Sequence, residues 1–158
     1  MDRLWAPWRI KYVTAKKNKK GCVFCASLKN KHSKAIIFRS SYSFVILNAF
    51  PYNNGHLMVV PKRHIADIYN LKDNEIIDFF RSLSKARQLL DKVLRPDGYN
   101  GGFNLFPQAG AGITGHFHFH LVPRWLGDTN FMPVIFDTKI ISQSLDELSK
   151  KLKDAYTE

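Results

Sequence analysis

The segment Gly115-His116-Phe117-His118-Phe119-His120-Leu121-Val122-Pro123-Arg124-Trp125 carries three of the chain's six histidines at alternate positions. Strict alternation has one natural home, a β-strand, whose successive side chains point to opposite faces. Phe117, Phe119 and Leu121 then face a core, while His116, His118 and His120 line the other side. A neutral imidazole is a nucleophile, and an ordinary pKa of about 6.5 leaves it mostly neutral at pH 7. It can attack phosphorus to form a phosphoramidate. Neighbouring imidazoles, about 6.5 to 7 Å away along a strand, can donate hydrogen bonds to the phosphoryl oxygens. Two other readings fit the same row: a His-x-His metal pair and a solvated polar face. What precedes the row favours the nucleophile. Gly101-Gly102-Phe103-Asn104 and Ala109-Gly110-Ala111-Gly112-Ile113-Thr114-Gly115 feed directly into it, and such small residues expose main-chain N–H groups and let a phosphate approach.

A second constellation is Cys22-Val23-Phe24-Cys25, which holds both cysteines of the chain. One such unit makes no disulfide framework, and its spacing reads as metal or redox chemistry. A closed tetrahedral site needs two more ligands, for which His32, His64 and His116 are the candidates. A free buried pair and a redox dithiol are the alternatives.

Elements must position these groups. Apolar runs bounded by turn residues predict strands over 35–39, 44–48, 56–61, 102–106 and 116–123. Between the third and fourth, Ile76, Phe79, Phe80, Leu83, Leu90 and Leu94 recur at helical spacing. Asp73 and Glu75 suit the first turn of that helix, and Pro96-Asp97-Gly98 ends it, so it spans 73–94. A second helix is expected over 144–156, with Ser144 and Glu147 spaced as a capping box and Leu145, Leu148 and Leu152 on one face. Short-looped strands around one long helix imply an α+β domain with a mainly antiparallel five-stranded sheet, completed by a C-terminal helix.

The 158 residues fit one domain over 1–158, with a basic segment over 1–34 that includes the cysteine knuckle. From Arg3 to Ala66 there are thirteen Lys or Arg and no acid; from Asp67 onward, eleven face twelve acids. Such a field is either a solvated surface or a means of gathering a polyanion. The patch Lys16-Lys17-Asn18-Lys19-Lys20 reads as a surface loop. No run approaches the roughly 18–20 apolar residues of a membrane span. The mixed, then lysine-rich beginning does not resemble an export signal, so the expected address is the cytoplasm.

His116-Phe117-His118-Phe119-His120-Leu121-Val122 resembles the His-φ-His-φ-His-φ-φ signature of the histidine-triad nucleotide hydrolases and transferases. Asn48-Ala49-Phe50-Pro51-Tyr52-Asn53-Asn54-Gly55-His56-Leu57-Met58-Val59-Val60-Pro61 is similar to the family's first conserved block. Leu4-Trp5-Ala6-Pro7-Trp8-Arg9, the Cys22–Cys25 unit, Val122-Pro123-Arg124-Trp125 and Gly127-Asp128-Thr129-Asn130-Phe131 resemble one branch. It contains diadenosine tetraphosphate phosphorylases and related dinucleoside polyphosphate hydrolases. The resemblance implies that His118 is the nucleophile, that His120 contacts phosphate oxygens and that His56 hydrogen-bonds within the cluster. It places Asn48 at ribose, Asn104 and Gly112 at ribose and phosphate, and Gly110 in the same phosphate loop. It implies a homodimer with a continuous sheet across the interface, and no organic cofactor. Zinc-bearing members and the related hexose-phosphate uridylyltransferases imply a structural zinc on Cys22, Cys25, His64 and His116. One departure stands out: Gly112 lies where the fragile-histidine-triad hydrolases carry a glutamine, which leaves water or phosphate open as the acceptor. Rival readings are a nucleotide-binding adaptor with little turnover, a nucleic-acid binder using Lys16, Lys17, Lys19 and Lys20, and a metal store. The chain has no recognised nucleic-acid-binding signature, and a metal store leaves the glycine loop unexplained.

Overall fold

The computed structural model describes residues 21–129 and 141–157. The Lys16–Lys20 patch, the Leu4–Arg9 match, and Asn130 and Phe131 lie outside the described residues. Five strands form one antiparallel sheet in the order β1-β2-β3-β5-β4. They are β1 (Ile36–Arg39), β2 (Ser43–Leu47), β3 (Leu57–Pro61), β4 (Gly98–Gly102) and β5 (Phe119–Arg124). Among the described residues three α-helices accompany them: α1 (Val23–Lys29), α2 (Asp73–Leu94) and α3 (Leu145–Thr157). The α+β expectation holds in class, strand number and pairing sense. No described helix is long and apolar enough to cross a membrane.

Every residue of β2 and of β3 is buried, as a sheet covered on both faces requires. On one face α2 and α3 pack Phe79, Ala86, Leu90, Leu148 and Leu152 against Val45, Leu47, Leu57, Val59, Phe117 and Leu121. On the other, α1 contributes Phe24 to a smaller core with Ile36, Phe44, Ile46, Met58 and Val60. Alternation along β2 thus serves two cores.

Helix α2 has the predicted bounds. The Lys72 amide donates to the Glu75 carboxylate (2.9 Å) at its start. Arg95, in the left-handed region at φ 48°, ends it. At α3 the Glu147 amide donates to Ser144 Oγ (3.2 Å), the expected cap.

Three expectations are corrected. The fourth strand is Gly98–Gly102 rather than 102–106, because it pairs with β5 from Gly98↔Arg124 to Gly102↔His120 and then leaves the ladder. Its glycines suit that position: a Cβ on Gly101 would sit 2.9 Å from Phe119 Cζ. The histidine strand begins at Phe119 rather than 116, since the Phe117 amide donates instead to the Ile65 carbonyl (2.6 Å). Finally, Ile76 and Phe80, expected on the core stripe of α2, are exposed, the latter by 57%.

Candidate functional site

Two groups of imidazoles meet on the α1 side of the sheet. His56 precedes β3 and is fully buried. Gly55 delivers it: at φ +77° a Cβ there would lie 2.5 Å from Leu94 Cδ1 and 2.9 Å from Pro123 Cγ, so only glycine passes. From this position His56 Nε2 lies 2.9 Å from His120 Nδ1. The His118 and His120 rings are 4.8 Å apart, edge to face. Tyr52 covers the pair, 4.6 Å from the His56 ring and 5.6 Å from that of His120.

The proton positions follow from the main chain. The Tyr52 amide donates to His56 Nδ1 (3.0 Å), so that nitrogen is bare. A neutral His56 then carries its proton on Nε2 and donates it to His120 Nδ1. His120 in turn carries its proton on Nε2, the nitrogen left to meet a ligand. Asn48 Nδ2 also lies within 3.3 Å of His56 Nδ1, and its Oδ1 accepts from the Phe50 amide (2.9 Å). His118 is set independently. Its Nδ1–H donates to the His116 carbonyl (2.9 Å), leaving Nε2 with an available lone pair.

The protonation states agree with this relay. Burial, then the neighbouring His120 and His118, holds His56 down at about 3. Burial followed by His118 lowers His120 to about 4. Burial also depresses His118, partly offset by its carbonyl partner. Three imidazoles are therefore neutral at pH 7, as nucleophilic and donor roles demand.

The second group is Cys22, Cys25, His64 and His116, whose ligand atoms all lie within 4.8 Å of one another. Cys22 Sγ is 3.2 Å and Cys25 Sγ 3.7 Å from His116 Nδ1; His64 Nδ1 is 3.4 Å from Cys25 Sγ and 3.2 Å from His116 Nδ1. A tetrahedral ion with bonds of about 2.0–2.3 Å sets its ligand atoms about 3.3–3.8 Å apart, so the donor set and spacing fit one metal ion. His116 Nε2 donates to the Pro61 carbonyl (2.8 Å), which aims bare Nδ1 at the thiols. His64 is anchored through its neighbour: Arg63 grips Glu75, with Nε to Oε1 at 2.9 Å and Nη2 to Oε2 at 2.6 Å. That pairing holds the Glu75 carboxyl down at about 2. His32, the local alternative ligand, stands apart, its amide donating to Asn30 Oδ1.

The structure thus brings together His56, His118 and His120 in one cluster, and Cys22, Cys25, His64 and His116 in another. Asn104, Gly110 and Gly112 lie on the connection from β4 to β5, and Gly110 closes a 3-10 turn over Pro107–Ala109 at φ 83°. Among the described residues no hydrogen bond joins those three to the histidines. Sequence reasoning did not single out the Tyr52 amide, whose role is a main-chain one, nor Phe24, whose position between the cysteines was the available signal. It also missed Asn53, whose Nδ2 reaches the Pro123 carbonyl (3.1 Å) and Asp128 (2.8 Å).

Fold and triad define a class, and the HIT domain family profile matches residues 29–125. The chain belongs to the histidine-triad (HIT domain) family. It is 34% identical over 161 residues to the AP-4-A phosphorylase of Mycobacterium tuberculosis, covering 96% of this chain and 83% of that one. Over 93 residues it is 30% identical to the asymmetrical bis(5'-nucleosyl)-tetraphosphatase of Schizosaccharomyces pombe, covering 59% and 50% respectively. Similar solved structures include a histidine triad nucleotide-binding protein from Sulfolobus tokodaii (TM-score 0.71, 20% identity, 86% and 92% covered). Another is a Zn-bound histidine triad family protein from Mycobacterium smegmatis (TM-score 0.69, 23% identity, 87% and 94% covered).

Proposed function

We propose that this protein cleaves the α–β phosphoanhydride of dinucleoside polyphosphates, such as diadenosine tetraphosphate, through a nucleotidyl group carried on His118. The observation that carries this reading is the His118 Nδ1–H bond to the His116 carbonyl, which leaves Nε2 free for attack. Relatives named for AP-4-A phosphorolysis and tetraphosphate cleavage support the substrate class.

The lone pair of His118 Nε2 forms a bond to the α-phosphorus. The bond from that phosphorus to the bridging oxygen breaks, and its electron pair leaves with the departing nucleotide. His120 Nε2–H, oriented through His56 and the Tyr52 amide, donates to phosphoryl oxygen as charge develops. Glycine-rich backbone at Gly110 and Gly112, with Asn104, takes phosphate and ribose; Asn48, which braces His56, takes ribose. Water or inorganic phosphate then attacks phosphorus, the P–N bond breaks, and the electrons return to Nε2. Nucleoside monophosphate or diphosphate is released. Cys22, Cys25, His64 and His116 would hold a zinc ion, which would supply a structural clamp between α1 and the triad segment. Two copies pair through the outer edge of β4 and the exposed side of α2. The compartment is the cytoplasm, where unpaired thiols persist.

The test is mass analysis of products from diadenosine tetraphosphate, with and without phosphate. ADP plus ATP appearing only with phosphate makes the protein a phosphorylase; AMP plus ATP without it makes it a hydrolase. His118→Asn is expected to lower turnover by about 10³-fold or more while binding persists. No products under either condition, or near wild-type turnover in His118→Asn, overturns the proposal.

A further inference from the structure

Phe24 stands between Cys22 and Cys25 in α1 and is 2% exposed. Its ring centre lies 5.0 Å from that of His118 and 5.4 Å from that of His116. One side chain therefore touches both the proposed nucleophile and a member of the four-residue metal cluster. The hydrogen bond from His118 Nδ1–H fixes that ring's proton, but a single bond does not stop the imidazole turning about it. Contact across the ring does, and Phe24 supplies it on one side while His120 lies edge to face at 4.8 Å.

Helix α1 has little of its own to hold this contact. It is seven residues long and has no side-chain hydrogen bond at its N-cap, too short to persist without tertiary support. It is fixed to the sheet by the thiols of the metal cluster, by Phe24 buried beside Phe44, 6.5 Å away, and by Leu28 packed on the same core.

We propose that Phe24 is a positioning residue that holds the His118 imidazole in its attacking orientation, seated by the metal-binding cysteines on either side of it. The proposal rests on the reading of His118 as nucleophile. Phe44 provides the control: it is fully buried in the same cluster, one ring further from the triad. A role in packing alone makes the two phenylalanines equivalent; a positioning role separates them.

The experiment compares Phe24→Leu, Phe24→Met and Phe44→Leu in the full, zinc-loaded chain. It measures kcat and KM with diadenosine tetraphosphate, Tm, zinc per chain, and the His118 Nδ1–H proton resonance. Phe24→Leu is expected to lower kcat about 10- to 100-fold with KM within about threefold of wild type and zinc retained. Its imidazole proton should exchange faster with solvent. Phe24→Met, nearer in length, should recover part of kcat. Phe44→Leu should keep kcat at an equal loss of Tm. Unchanged kcat in folded, zinc-loaded Phe24→Leu overturns the proposal, as does an equal loss of kcat in Phe44→Leu. The proton resonance reads the hold on the ring without turnover, so it separates this inference from failure of the nucleophile reading, which His118→Asn tests.

Discussion

At His56 the main chain chooses which ring nitrogen carries the proton. Because the Tyr52 amide occupies Nδ1, the donor role passes to Nε2 and onward through His120. Adding a second proton to His56 would set N–H against N–H at Tyr52 in a fully buried position. Burial accordingly keeps its folded-state pKa near 3 and that of His120 near 4, against about 6.5 in an unfolded chain. Between those values the unfolded state binds more protons than the folded one, so stability falls as pH falls. The contribution is fully present above about 6.5 and is lost progressively toward 3. Denaturant unfolding at pH 6.5 and 4.5 should therefore show wild type losing about 2 kcal/mol more than His56→Asn over that interval. Loss of the metal ligands' competence in acid affects both chains and cancels in the comparison. Parallel slopes in the two proteins would contradict the assignment of a neutral, buried His56.

Elements differ in how much of their position their own residues decide. Helix α2 was legible because 22 residues of helical spacing, an acidic first turn and a terminal Pro-Asp-Gly all agree. The histidine row was legible because alternation survives even where His116 and His118 fall outside the β5 ladder. Helix α1 was not, since seven residues without a cap give too short a period to read. Nor was β4, whose Gly-Tyr-Asn-Gly-Gly sequence has little strand preference of its own; its register comes from β5. The loop over 48–56 is a similar case. Asn53 ties it to the Pro123 carbonyl and to Asp128, and Asp128 is gripped by Arg124 Nε (2.6 Å) and Nη2 (2.9 Å). The end of β5 thereby holds the loop that presents the Tyr52 amide. Asn53→Ala leaves a buried carbonyl without its donor, at a cost of about 1–3 kcal/mol. A fall in Tm of about 3–10 °C is expected by calorimetry, with kcat reduced several-fold as the Tyr52–His56 bond loosens. An unchanged Tm would mean that the loop is held by other contacts.

For the molecule as a whole, the unanswered surface is the side of the sheet edge where β4 meets α2. Among the described residues β4 is the last strand of the sheet and its ladder pairs with β5 alone, and an unprotected edge invites another strand. Beside it Ile76, Ile77 and Phe80 are 37%, 52% and 57% exposed, three apolar side chains on one helix. Of the three, Phe80 borders a groove of about 440 Å³ that Leu83, Tyr99, Gly101, Phe119 and Leu121 also line. In the proposed dimer a two-fold axis at β4 would satisfy both features at once: the edges would pair antiparallel into one continuous sheet, and each α2 would present its apolar side to the partner. Such an interface would account for the apolar positions of α2 that its core contact does not use. Since β4 leads through 103–118 into the triad, pairing there would also steady the segment that delivers the histidines. Sedimentation should give twice the 18.2 kDa of one chain. Ile77→Glu with Phe80→Glu removes apolar contact at exposed positions, where a folded single chain tolerates charge. The double variant should sediment at the mass of one chain, with helix content retained and turnover reduced several-fold. A dimer unaffected by both charges would place the interface elsewhere, and a wild-type chain that sediments singly at micromolar concentration would remove the dimer altogether.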